Sequence, residues 1–458
     1  MSQPPNPPSS VSAAPEKSTS GSTGSNSGAT PGSTTGTTPV ATPPSTFGLR
    51  GIKLINEFDL KDKRVFIRCD FNVPMEEGQD GQQLITDDTR IRAALPTIRF
   101  AVEHGAKIVL ASHLGRPEGP ETFKKFSLEP VGNRLGELLK MEVILVDDPA
   151  SDAPKGLLPG LRPHQIILLE NLRFEKGETK NSREFANQMS AYTDIYINDA
   201  FGASHRAHAS IEALAQVVEK HGIGFLIQKE IEMLDVLLYQ PKSPYMVILG
   251  GAKVSDKIPV LERLIDTIDT FFVGGAMAYT FLAAQNIPIG KSRVEKDKVA
   301  FAREMLGRIE ARGKKLFLPI DHVIADDFLA PSQIQTTADA AIPEGFLGVD
   351  IGPKTRELFR KELQKAKTVF WNGPMGVFEK QEFAKGSFAI AETLANLDGA
   401  LTIVGGGDSA AAAEASGFSD KMTHISTGGG ASLEYLQGDK LPGLEVLRQL
   451  RPSTMPTL

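Results

Sequence analysis

From Phe47 onward the chain alternates short, nearly continuous apolar runs with longer stretches in which apolar residues recur at helical spacing. The first runs are Arg64-Val65-Phe66-Ile67-Arg68-Cys69, Lys107-Ile108-Val109-Leu110-Ala111, Ile166-Ile167-Leu168-Leu169 and Asp194-Ile195-Tyr196-Ile197. Runs without polar alternation suit parallel strands covered on both faces. A helical stretch from Phe225 through Leu234 then leads to Pro241 and Pro244, and a second series of runs starts at Tyr245. These end in glycine: VILGG (247–251), FFVGG (271–275), FWNGP (370–374) and TIVGGG (402–407). Glycine after a strand lets backbone N–H groups approach an anion closely, and a following helix N-terminus adds partial positive charge. The pattern predicts an α/β protein of two Rossmann-like domains, each a parallel sheet covered by helices, joined by a hinge helix beginning at Phe225. The expected bounds are 47–224 for the first domain and 225–436 for the second, hinge helix included.

Residues 1–46 break this pattern. They are almost entirely Ser, Thr, Pro, Gly, Ala and Asn, with Glu16 and Lys17 the only charges. Such a segment cannot bury enough surface to offset its ordering entropy, so it reads as a disordered tail. An organellar transit peptide is the sharper reading, but the segment has no Arg and no amphipathic pattern.

Composition narrows the function. The 458 residues carry 50 Lys+Arg against 56 Asp+Glu, a formal charge of -6, which argues against a dedicated nucleic-acid binder. Cys69 is the single cysteine, so neither an intrachain disulfide nor a clustered Cys/His zinc site can form, and a reducing cytoplasm is expected. No run of about 18 apolar residues spans a bilayer, and no charged-then-apolar secretory signal opens the chain.

In open α/β sheets ligands bind beyond the carboxyl ends of the strands. In the first series these ends run into Asp70-Phe71-Asn72-Val73-Pro74, His113-Leu114-Gly115-Arg116-Pro117, Asn171-Leu172-Arg173 and His205-Arg206-Ala207-His208. With Arg90, at the start of a helical pattern, five cationic or imidazole groups converge on one rim: Arg90, His113, Arg116, Arg173 and Arg206. Guanidinium forks suit phosphate and carboxylate oxygens, so the expected ligand is a small polyanion. Asp70 and Asn72 are either turn formers before Pro74 or ligands of a hydroxyl or acid group.

In the second series Gly250-Gly251-Ala252-Lys253-Val254-Ser255-Asp256-Lys257 follows a strand, and the four-residue spacing of Lys253 and Lys257 predicts a helix presenting both to one side. Gly405-Gly406-Gly407-Asp408-Ser409 leads into an alanine-rich helix, with Asp408 expected as its N-cap and able to help hold magnesium between nucleotide phosphates. Two other patterns are weak. Gly405-x-Gly407-x-x-Ala410 fits a loose dinucleotide fingerprint without the acidic residue that should follow it, and Gly290-Lys291-Ser292 lacks the P-loop's first glycine, since position 285 is Gln.

The string from Arg68 to Pro74, with Ser112 to Pro117, resembles phosphoglycerate kinase. The segments LLENLRF (168–174), NDAFGASHRAH (198–208), GGAKVSDK (250–257), WNGPMGVFE (371–379), GGGDS (405–409) and STGGGASLE (426–434) extend the resemblance in order and spacing from about Phe47 to the C-terminus. It implies reversible, magnesium-dependent phosphoryl transfer between 1,3-bisphosphoglycerate and ADP by a cytoplasmic monomer, acting in glycolysis or gluconeogenesis. By motif, Asp70, Phe71, Asn72, His113, Leu114, Gly115, Arg116, Arg173 and Arg206 would hold the glycerate substrate, and Arg90 would stabilise the transferring phosphoryl. Lys253 and Lys257 would meet the nucleotide phosphates, with Lys257 following the moving group. Gly348 would border the adenosine and Glu379 would take the ribose hydroxyls. Gly405, Gly406, Gly407, Asp408 and Ser409 would hold phosphates, with Asp408 at the metal. Residues 437–458 would return to the first domain. Departures are few: Cys69 where valine is commoner, Ala276 where a third glycine is common, and the tail, which has no counterpart. The alternatives are a nicotinamide-dependent dehydrogenase using the Gly405 pattern, or a non-catalytic nucleotide-binding protein of the same fold.

Overall fold

The structure, a computed structural model, describes residues 47–79 and 81–448. The reading of 1–46 as a disordered tail lies outside the described residues.

Six parallel strands form the first sheet: β1 (Arg64–Cys69), β2 (Lys107–Ala111), β3 (Glu142–Val146), β4 (Gln165–Leu169), β5 (Ile195–Asp199) and β6 (Lys220–Ile223), in the order β3-β4-β2-β1-β5-β6. The continuous apolar runs become its centre. Phe66 of β1 is flanked by Val109 and Tyr196, and all three are fully buried. Helix α1 (Thr89–Glu103) covers one face, burying Ile91, Ala94, Ile98 and Ala101 at the three- and four-residue spacing that makes a helical stripe. Burying each such isoleucine contributes roughly 1.5–3 kcal/mol.

Helix α2 (Phe225–Tyr239) leads out of this sheet. Its first turn is held from the first sheet, because Asp199 Oδ1 accepts the amides of Leu226 (3.0 Å) and Ile227 (3.3 Å) and Thr97 Oγ1 accepts that of Phe225 (2.9 Å). Its middle is tied to the second half of the chain. The buried Glu230 carboxylate accepts from Thr427 N (2.6 Å) and Thr427 Oγ1 (2.8 Å) and meets His424 Nε2 at 2.8 Å.

Then follow β7 (Tyr245–Leu249), helix α3 (Ile258–Leu264), β8 (Thr270–Val273), helix α4 (Met277–Ala284), β9 (Lys315–Phe317), β10 (His322–Ala325), β11 (Ile334–Thr336), β12 (Leu347–Ile351), β13 (Thr368–Asn372), β14 (Leu401–Val404), helix α5 (Gly407–Ala415), β15 (His424–Ile425) and helix α6 (Gly430–Gln437). The second sheet is parallel in the order β9-β8-β7-β13-β14-β15. Strand order reverses between β7 and β13, which makes the crevice outside their carboxyl ends the ligand position of a doubly wound sheet. Strands β10, β11 and β12 form a separate antiparallel sheet that the apolar runs do not announce. All of β11 is exposed, and Gly348 interrupts the apolar run of β12.

Two local expectations are corrected. Residues 253–257 are not helical; the chain turns there and α3 starts only at Ile258. Glu295 takes the helix's place as acceptor, receiving the amides of Val254 and Ser255 and the Ser255 hydroxyl (2.7 Å to Oε1). Asp408 is not the N-cap either. Gly406, at φ +91°, occupies that position, and Asp408 sits inside the first turn of α5.

After α6 the chain meets the first sheet's loops, with Gly443 N donating to Ser204 O (2.9 Å) and Asn198 Nδ2 to Gly443 O (3.1 Å). Arg448 then reaches the carbonyls of Gly48 (3.0 Å) and Arg50 (2.8 Å). No described helix is long and apolar enough to cross a membrane.

Candidate active site

The carboxyl ends of β1, β2, β4 and β5 carry the cationic rim. Asp70, directly after β1, is buried, and its Oδ2 accepts from Arg90 Nη1 at 2.7 Å. Burial pushes the Asp70 carboxyl up, but Arg90, His113 and Arg68 outweigh it and hold the group below its ordinary range. Asn72 Oδ1 accepts the Gly115 amide (2.8 Å), and Ser112 Oγ accepts that of Phe71 (2.8 Å). Phe71 and Leu114 are thus placed through their backbones, with their side chains in the core below. Gly115, at φ +58°, leaves no room for a Cβ, which would stand 2.2 Å from the Phe126 ring.

Beneath this rim lies Arg68, fully buried in β1. Its Nε donates to Ser210 Oγ at 2.7 Å, its Nη2 approaches His113 Nδ1 at 3.2 Å, and Glu178 Oε1 lies 3.9 Å from the same nitrogen. An arginine can only donate, so His113 accepts at Nδ1 and carries its proton at Nε2. Burial, then the surrounding arginines, pull the His113 ionisation well below the histidine range against the pull of Asp70, so at neutral pH the ring is an uncharged donor.

Arg173 and Arg206 complete the rim. Arg173 donates from Nη1 to the Gly115 carbonyl, while its Nε is buried without a partner. Burial, reinforced by Arg206 and Arg68, pulls the guanidinium down to about 10. That mutual repulsion marks a cluster of cations short of negative charge. A pocket of about 420 Å³ opens here, lined by Arg116, Arg173, Lys176, Lys180, Arg206 and His208.

On the second sheet the reversal point is packed backbone to backbone. A Cβ on Gly250 would lie 2.2 Å from the Pro374 carbonyl, and one on Gly373, at φ +103°, would lie 2.2 Å from the Gly250 carbonyl. Rigid backbone cannot yield as a side-chain tip can, so Gly250→Ala is expected to cost about 1–3 kcal/mol, read in chemical denaturation, and to weaken nucleotide binding alongside. Lys257 donates from Nζ to Asn372 Oδ1, and Asn372 Nδ2 donates to the Gly405 carbonyl (2.7 Å). Ser409 Oγ accepts the Gly373 amide. Lys257, Asn372 and the Gly405–Gly407 turn therefore form one connected floor. Burial lowers the Lys257 ionisation against the attraction of Asp256 and Asp408.

Lys253 and Asp408 are exposed at this floor, and the Asp408 carboxylate makes no hydrogen bond among the described residues. Gly348 lies on β12, its amide given to Ser292 Oγ at 2.9 Å. Val377 N donates to Val349 O (2.9 Å), which lays the loop carrying the exposed Glu379 against β12. The Gly290-Lys291-Ser292 decoy is a turn serving that strand.

The motif strings did not single out Glu178, Ser210 or Asn372 as working residues. A charged residue inside an apolar run, Arg68 in Arg64–Cys69, is the one sequence signal that a buried counter-charge must exist somewhere.

A family model described as phosphoglycerate kinase matches residues 55–439. A phosphoglycerate kinase from Bdellovibrio bacteriovorus is 62% identical over 401 residues, 88% of this chain and 98% of that protein. The chain belongs to the phosphoglycerate kinase family. Another relative of that name, from an Anaeromyxobacter species, is 52% identical over 397 residues, covering 86% of this chain and 99% of the relative. The solved structure of phosphoglycerate kinase from Coxiella burnetii shares the fold with a TM-score of 0.75 at 38% identity, over 86% of this chain and 98% of that one. No feature of the site favours a dinucleotide enzyme or a non-catalytic relative.

Proposed function

We propose that this member of the phosphoglycerate kinase family transfers a phosphoryl group reversibly between 1,3-bisphosphoglycerate and ADP. The observation that carries the substrate side is the surplus of cations around Arg173, a guanidinium lowered to about 10 with an unpartnered buried Nε. Bound phosphate oxygens supply what that cluster lacks. Asp70, Asn72, His113, Arg116, Arg173 and Arg206 bind the phosphoglycerate, with Phe71, Leu114 and Gly115 holding the loops in place. Lys253, Lys257, Gly405, Gly406, Gly407 and Ser409 bind the nucleotide phosphates, and Gly348 and Glu379 flank the nucleoside.

Phosphoryl transfer needs positioning and neutralised charge more than covalent help. Arg90 supplies charge to the moving group from the first sheet and Lys257 from the second. His113, neutral with its proton on Nε2, orients substrate oxygens as a donor. Asp408 suits magnesium: an exposed carboxylate at a phosphate-binding floor matches an ion that takes one or two protein carboxylates together with substrate phosphates. Magnesium, when bound there, neutralises phosphate charge. Residues 47–224 form the phosphoglycerate domain and 225–436 the nucleotide domain; α2 is the hinge whose movement joins the half-sites and excludes water. Residues 437–448 belong with the first domain, 449–458 lying outside the described residues, and the enzyme works as a monomer in the cytoplasm.

The test is magnesium-dependent ADP formation from ATP with and without 3-phosphoglycerate, the acyl phosphate being removed as it forms. Turnover only with 3-phosphoglycerate and magnesium is expected. Nucleotide binding without turnover would reject the assignment.

A further inference from the structure

Tyr279, in the first turns of α4, is 4% exposed and packs with Leu282, Ile324 and Ile342. Its ring stands beside His322, the centroids 5.4 Å apart, and burial holds that imidazole neutral by pulling its ionisation down to about 4. The phenolic oxygen lies against Gly348, where an added Cβ would be only 1.9 Å away. Gly348 has no left-handed backbone, so its glycine is required by the hydroxyl and not by φ.

Buried tyrosine hydroxyls usually find a hydrogen-bond partner. Tyr192 reaches Pro149 O (2.7 Å), Tyr196 reaches Ser210 O (2.7 Å) and Tyr435 reaches Asp235. The Tyr279 hydroxyl makes no hydrogen bond among the described residues, yet it is not sealed in the core as that of Tyr245 is. The Gly348 amide is already taken by Ser292, so the hydroxyl is the polar group this point of β12 offers to a ligand. Burial keeps the phenol protonated, and a phenol both donates and accepts.

We propose that Tyr279 is a specificity-determining residue whose hydroxyl hydrogen-bonds the adenosine part of bound ADP or ATP. The inference rests on reading Gly348 as the border of the nucleotide site.

The experiment compares the full chain with Tyr279→Phe in steady-state kinetics. The KM for ADP should rise about threefold to tenfold, the range a single neutral hydrogen bond supplies, with kcat changing less than twofold and the KM for 1,3-bisphosphoglycerate unmoved. The same comparison with inosine diphosphate and 2′-deoxy-ADP locates the contact, since the analogue lacking the partner atom should lose the penalty. An unchanged KM for ADP, or an equal penalty on all three nucleotides, overturns the proposal. So does a drop in melting temperature that carries both KM values with it, which is what a purely structural role would give. A wild-type protein inert toward ADP would defeat the nucleotide reading itself, and this proposal with it; an active wild type indistinguishable from the variant defeats Tyr279 alone.

Discussion

Arg90→Ala is expected to lower kcat about a thousandfold, the lower end of what an arginine aimed at a transferring phosphoryl contributes. The substitution should leave the fold intact, because the Arg90 side chain is 31% exposed and the buried Asp70 keeps Arg68 and the Asn72 amide as partners. Stability should nevertheless acquire a signature. Asp70 is buried and held below its ordinary range by Arg90 together with His113 and Arg68, so it contributes stability above the unfolded carboxyl range and loses it as pH falls through its folded value. Removing Arg90 takes away part of that contribution. The gap in melting temperature between wild type and variant should be widest at neutral pH and should close on acidification. Near-normal turnover in the variant would remove Arg90 from the transition state. Arg90→Lys separates charge from shape: a point charge without the planar fork should recover only part of the rate.

The apolar runs and their glycine ends were enough to place the two sheets, because a doubly covered parallel strand leaves a composition that needs no tertiary information. Phe66, Val109 and Tyr196 show it, three residues of three runs that meet side by side. The antiparallel sheet was not legible: β11 is wholly exposed, and the apolar run of β12 is broken by Gly348, whose missing side chain serves Tyr279 rather than the strand. The spacing of Lys253 and Lys257 suggested a helix, but Glu295, forty positions on, captures the amides a first helical turn would leave free. Asp408 read as an N-cap because aspartate favours that place, whereas the left-handed conformation needed at 406 gives it to glycine. At Gly348 and at Lys253–Lys257 a distant partner decided a local choice. The cationic rim was legible in outline, since each member but Arg90 follows a strand; the charge balance under it was not, because Arg68, Glu178 and Ser210 come from separate segments.

That buried balance carries the second large effect. Glu178→Ala should destabilise the protein by about 3–5 kcal/mol, read as a lower denaturant midpoint, because it strands a fully buried guanidinium that cannot give up its proton. Burial pushes the Glu178 carboxyl up, and Arg68 with the Ser210 hydroxyl and amide draws it only part of the way back, so the wild-type pair is not a source of surplus stability. Replacing both charges, Arg68→Met with Glu178→Leu, should therefore recover most of the lost stability, since apolar groups of similar volume avoid the desolvation cost. The double variant should still bind 3-phosphoglycerate poorly. Without Arg68 donating to Nδ1, His113 is no longer fixed with its proton on Nε2, and the rim loses the charge beneath it. Stability restored while affinity stays low would assign Arg68 to the substrate site through His113. If affinity returned together with stability, the pair would be packing alone, and the cations at the surface of the rim would suffice to hold the substrate.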